Sequence, residues 1–211
     1  MHKVSQNTGY RIYPSASWCV TQYQNQYKEL YMTLPEGTFI SAVSYHILKY
    51  GYGKRVGADK PVLVMPIVGG LEVKSSAKGT TFITAGNLIY LEDPRHLYNP
   101  YEDKWVSFFL LELASPLEMR SGSVVDFDLD RNLNKLITPL EGVSMGLFEG
   151  RKHGSFENEK EQSVYVYVIE GVFEVEDRLL ETGDGLFVEQ ADCLTFESLS
   201  SNAIILFTRG S

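Results

Sequence analysis

Twelve residues starting at Val62 recur without a gap 102 positions later. Val62-Leu63-Val64-Met65-Pro66-Ile67-Val68-Gly69-Gly70-Leu71-Glu72-Val73 pairs with Val164-Tyr165-Val166-Tyr167-Val168-Ile169-Glu170-Gly171-Val172-Phe173-Glu174-Val175, and six of the twelve pairs are identical. The order continues beyond the match. Gly86-Asn87 leads into a short apolar run ending at Glu92, Gly183-Asp184 into one ending at Glu189, and the copies close on Trp105–Leu113 and Ala203–Thr208. Strand, tight glycine turn, strand and Gly-Asx turn is hairpin chemistry. Its repetition predicts two similar β-barrels of about 100 residues each. The divided reading is residues 1–118 and 119–211, with the Ser-, Gly- and Asp-rich stretch Ala114–Asp130 as linker.

The rest of the chain agrees with an all-β protein. Phe39–Leu48, Pro61–Lys74, Asn87–Glu92, Trp105–Leu113, Ser163–Val175, Gly185–Glu189 and Ala203–Thr208 read as strands, bounded by Gly, Pro and Asn. One short helix is expected at Asp130–Leu136, and a flexible loop at Gly51-Tyr52-Gly53-Lys54-Arg55-Val56-Gly57. Residues 1–58 receive no assigned place beyond the first barrel. With 27 Asp+Glu against 19 Lys+Arg, a net charge of −8 argues against direct binding of nucleic acid. No apolar run approaches the ~20 residues of a membrane-spanning helix. The start of the sequence lacks the apolar stretch of a secretion signal, and two cysteines are too few for a disulfide framework. A cytoplasmic protein is expected.

Two segments of the second half carry a family resemblance. Gly171-Val172-Phe173-Glu174-Val175-Glu176-Asp177-Arg178-Leu179-Leu180-Glu181-Thr182-Gly183-Asp184-Gly185-Leu186 and Leu194-Thr195-Phe196-Glu197-Ser198-Leu199-Ser200-Ser201-Asn202-Ala203-Ile204-Ile205-Leu206 resemble the pirin family. Gly146–Gly150 is similar to the strand opening that family's second barrel, and Leu97-Tyr98-Asn99-Pro100 to a segment of its first. The resemblance implies tandem cupin jelly-roll barrels, a bicupin. It also implies one metal in the first barrel, held by a His-x-His pair and a His or Glu elsewhere, with dioxygenase activity of the quercetin 2,3-dioxygenase type in some members.

The implied ligands are missing. The four histidines, His2, His46, His96 and His153, form no His-x-His pair. Carried over by the family pattern, the ligand positions fall on Arg55, Gly57, Arg95 and Leu97, with His96 one residue out of register. The expectation is therefore a pirin-like bicupin without cofactor, a small-ligand-binding or regulatory protein. Arg55, Arg95, Glu92 and His96 are the candidate ligand-binding residues, since arginine offers a fixed charge and a planar fork of donors to a small anionic or aromatic ligand. A protein partner is a second expectation. The alternative is a dioxygenase holding one Fe, Mn, Ni or Cu ion on His46, Glu92 and His96. A third reading is a thiol redox sensor working through Cys19 or Cys193.

Overall fold

A computed structural model of the chain describes residues 9–23, 27–35, 38–57, 59–75, 79–158 and 162–210. Among these, the regular structure is almost wholly strand. The first part of the chain contributes β1 (Tyr10–Tyr13), β2 (Cys19–Tyr23), β3 (Tyr27–Thr33), β4 (Ile40–Leu48) and β5 (Gly53–Val56). The first copy of the repeat supplies β6 (Val62–Val68), β7 (Gly70–Ser75), β8 (Gly79–Thr84), β9 (Asn87–Leu91), β10 (Arg95–Tyr98) and β11 (Val106–Leu113). Next come β12 (Val124–Asp126), β13 (Ile137–Leu140), β14 (Val143–Phe148) and β15 (Lys152–Glu157). The second copy supplies β16 (Val164–Glu170), β17 (Val172–Val175), β18 (Arg178–Glu181), β19 (Gly185–Val188), β20 (Cys193–Ser198) and β21 (Ala203–Arg209).

Two jelly-roll units result. One has a seven-stranded sheet ordered β12-β9-β6-β11-β4-β3-β2 and a four-stranded sheet ordered β5-β10-β7-β8. The other has β1-β19-β16-β21-β14-β13 and β15-β20-β17-β18. Strands ten apart in number occupy the same place, from β3 with β13 to β11 with β21, so the repeat extends well beyond the twelve matched residues. Its glycines have a geometric reason. Gly69 (φ 77°) and Gly171 (φ 83°) turn β6 into β7 and β16 into β17 in the left-handed region, which residues with a Cβ enter only at a cost.

The units are not consecutive halves of the chain. One comprises residues 18–36 and 40–127, the other 1–17, 37–39 and 128–211. The boundary expected at 118/119 thus moves to 127/128, and the N-terminal segment joins the C-terminal unit. There, β1 runs antiparallel to β19, with Tyr10 opposite Val188 and Tyr13 opposite Gly185. The expected linker contains β12, which extends the first unit's sheet beside β9, Asn87 Nδ2 donating to Asp126 Oδ1 at 2.7 Å.

Two local expectations are corrected. Asp130–Leu136 is a run of turns, not a helix. Its amides bond three residues back, Asn132 to Leu129 and Lys135 to Asn132, and Asn134 at φ 62° diverts the chain so that its own amide bonds Leu147. The expected loop at 51–57 contains β5, which pairs with β10, Arg55 lying opposite His96. The two interiors differ in filling. In the C-terminal unit Phe148, Phe156, Phe173, Phe196 and Phe207 belong to one buried apolar cluster, with Phe156 stacked on Phe207 at 4.8 Å. The N-terminal unit packs an aliphatic cluster around Val64, Leu71, Ile89 and Leu97, and leaves one wall polar.

Candidate functional site

Alternation along three strands builds that wall. On β4 the even residues Ile40, Ala42, Ser44, His46 and Leu48 are buried, so an apolar run carries two polar groups, Ser44 and His46, on its inward face. On β3, Glu29 lies opposite His46 and Tyr31 opposite Ser44. On β5 exposed Gly53 and Arg55 alternate with Lys54 and buried Val56.

These side chains form one hydrogen-bonded chain. Lys54 Nζ donates to Glu29 Oε1 at 2.8 Å and to Tyr27 Oη at 3.0 Å. The Tyr27 hydroxyl donates to Glu29 Oε2 at 2.6 Å. Its single proton is committed to the carboxylate, so Oη must accept from His46 Nδ1, 3.0 Å away. His46 is then the Nδ1–H tautomer, and its Nε2 accepts the Ser44 hydroxyl at 2.7 Å. The ring is stacked between Tyr27 and Phe108, with centroids at 5.9 and 4.8 Å. Burial, with a smaller contribution from the Lys54 charge, lowers the His46 pKa well below the usual imidazole value. The Glu29 carboxylate, 3.9 Å from Nε2, does little to reverse this because Lys54 and Tyr27 already engage it. Burial and the bond to Glu29 raise the Tyr27 pKa, keeping the phenol protonated.

The chain borders a cavity of about 430 Å³ inside the N-terminal unit. Glu29, Tyr31, Ser44, Lys54 and Glu112 form its polar side and Val56, Val62 and Leu110 its apolar side, while Arg55, Asp59 and Lys60 stand at the exposed rim. Its volume lies in the range of small-molecule sites.

The residues singled out from sequence are scattered. Arg55 reaches the cavity only from its rim. Arg95 is 4% exposed and its guanidinium grips Asp93, Nε to Oδ1 at 3.0 Å and Nη2 to Oδ2 at 2.8 Å, with Ser121 also donating to that carboxylate. It lines a separate recess of about 240 Å³ with Thr81, Arg120, Ser121 and Ser123. Glu92 and His96 are exposed, His96 opposite Arg55 and Lys74 on the outer face of its sheet. His46 is fully buried among other partners, so His46, Glu92 and His96 do not assemble, and among the described residues no three His, Cys, Asp or Glu side chains gather as a metal site. Cys19 is exposed on β2; Cys193 donates to Glu157 Oε1 at 3.4 Å, and burial and that carboxylate push its pKa up to about 11, against thiolate chemistry.

On the paired strands β5 and β10, the positions turned from solvent hold Lys54, Val56, Arg95 and Leu97, so the family pattern slips by one residue on β5. A charged ammonium, a guanidinium and two aliphatic groups offer no lone pair to a cation. These residues do not fit a metal.

Comparison with known proteins agrees with this architecture. Residues 142–208 match the family of the quercetinase C-terminal cupin domain. No curated protein sequence matches the chain. Among solved structures, YhhW from Escherichia coli superposes with a TM-score of 0.79 at 12% identity, covering 95% of this chain and 97% of that one. A second structure of that bacterial pirin, with a TM-score of 0.78 at 11% identity and covering 96% and 99%, is a complex with nickel(II). Quercetin 2,3-dioxygenase from Acinetobacter baumannii gives a TM-score of 0.68 at 11% identity, covering 91% and 83%. Two repeated jelly-roll units, shared with these neighbours, give the chain the cupin fold. Residues 142–208 carry the quercetinase C-terminal cupin domain, and the chain as a whole shares the fold of the bacterial pirin.

Proposed function

We propose that this protein is a metal-independent, pirin-like cupin that binds a small molecule in its N-terminal barrel, in a binding or regulatory capacity rather than as a dioxygenase. One observation carries the reading: Lys54, on the inward face of β5, sets its ammonium on Glu29 and Tyr27 beside a cavity of about 430 Å³. An internal cation there supplies fixed positive charge without redox chemistry or open coordination positions. The polar and apolar sides of the cavity support a ligand with a polar head and a short apolar body. The expected setting is the cytoplasm, where the two free cysteines stay reduced.

Metal content and ligand content of the untagged protein test this together. Less than about 0.1 equivalent of Fe, Mn, Ni, Cu or Zn, with no quercetin-dependent oxygen uptake after adding each metal, is expected. Native mass spectrometry should show a small molecule retained by the folded protein and released on denaturation. About one equivalent of a transition metal with metal-dependent quercetin consumption overturns the reading.

A further inference from the structure

We infer that the ligand of this cavity is a small organic cation, a primary amine with a short aliphatic or aromatic body, whose ammonium is received by Glu112 and Tyr31. The inference rests on the barrel cavity being the binding site and adds the chemistry of its occupant.

The charges sort by depth. Glu29, Lys54 and Glu112 have side chains 18, 25 and 26% exposed, whereas Lys60 is 51% exposed and Arg55 and Asp59 lie in solvent. The inner set is thus two carboxylates against one ammonium. Lys54 is spent on Glu29, whose second oxygen is taken by Tyr27. That leaves Glu112. Its only cation among the described residues, Lys60, stands 3.6 Å away, outside hydrogen-bond distance, and donates instead to Ser41 at 3.1 Å. Among the described residues the Glu112 carboxylate accepts no hydrogen bond, so its negative charge faces the cavity without a close donor.

Tyr31 reports the same field. Burial, then Glu112 and Glu29, raise its pKa, which places the phenol in negative potential. Its hydroxyl has no hydrogen-bond partner among the described residues. An ammonium fits this corner: it donates to Glu112 and to the phenol oxygen, and it displaces Lys60 outward into solvent. Val56, Val62 and Leu110 then cover the ligand's apolar body. A carboxylate ligand would meet Glu112 as a like charge in partly desolvated surroundings. A divalent metal would find Glu112 alone at this depth, because Lys54 and Tyr27 each hold one oxygen of Glu29 and Asp59 stands at the rim.

Calorimetric titration of the full chain with phenethylamine, 3-phenylpropionate and 2-phenylethanol, in wild type, Glu112→Gln and Glu112→Asp, tests this. The amine should bind at least about tenfold more tightly than the acid or the alcohol, Glu112→Gln should remove at least about tenfold of that affinity, and Glu112→Asp should keep part of it. Circular dichroism establishes that each variant is folded. Equal or tighter binding of the acid overturns the inference, as does an amine affinity that Glu112→Gln leaves within about twofold. Acid or alcohol binding competed by the molecule retained on purification rejects the amine while leaving the cavity reading standing. No binding of any probe, with about one equivalent of bound transition metal, rejects both.

Discussion

Acid titration of the folded protein isolates the buried imidazole of His46. Tyr27, Glu29, Ser44 and Lys54 surround it, and no part of it reaches solvent. An unfolded chain protonates this histidine near pH 6.5; the folded chain does so only well below. Between those two values the unfolded state holds about one proton more, so stability falls as pH falls, by about 1.4 kcal/mol per pH unit. Above pH 6.5 the contribution is fully present. The comparison is wild type against His46→Gln, an amide that can still donate toward Tyr27 and accept from Ser44. The variant should be less stable at pH 8 by about 1–3 kcal/mol, but its stability between pH 6.5 and 5 should fall less steeply, by about one proton's worth. Both tryptophans, Trp18 and Trp105, belong to the N-terminal unit, so urea denaturation followed by fluorescence reads the unit concerned. Parallel pH profiles for the two proteins would refute the assignment of a buried neutral His46.

Three further outcomes are expected. Tyr165 is fully buried and its hydroxyl has no partner among the described residues, so Tyr165→Phe should stabilise the C-terminal unit by about 1–3 kcal/mol in thermal melts; a loss of stability would show a hidden partner. Gly171→Ala would place a Cβ 2.8 Å from that of Ala203 at φ 83°, and denaturant titration should show at least about 2 kcal/mol lost; a neutral result would mean the turn can relax. Mass-resolved alkylation at pH 8 should modify exposed Cys19 well before Cys193, whose pKa is raised to about 11; the reverse order would contradict that environment.

Sequence reading reached the parts of this fold that obey local rules. The hairpins of the repeat were legible because Gly69 and Gly171 mark turns that few other residues can make and because period-two apolar runs flank them. The cavity was not, for a related reason. Tyr27, Glu29 and Tyr31 alternate correctly for a strand, yet a wall lined by Tyr and Glu looks like a solvent face. Ser44 and His46 sit two apart within the buried run of β4, which was the signal available for a polar interior. Strand β5 was hidden by its flanking glycines. A one-residue slip there moved attention from Lys54, which lines the cavity, to its outward neighbour Arg55. Arg95 is buried, and Asp93, two residues before it, takes its guanidinium.

The pairing of β1 with β19 sets a timetable for the chain. Tyr13 and the Gly185 it faces are 172 residues apart. A ribosome adding about 5–20 residues per second separates their synthesis by roughly ten to thirty seconds. For that interval an early-made strand with exposed Tyr10 and Ile12 has no partner, and Thr38, bridged to Gly210, waits through an equal length of chain. The N-terminal unit can close once β12 has emerged. The C-terminal unit must then recruit the oldest part of the molecule last, so nascent chains stalled before residue 185 should be the species most dependent on a chaperone.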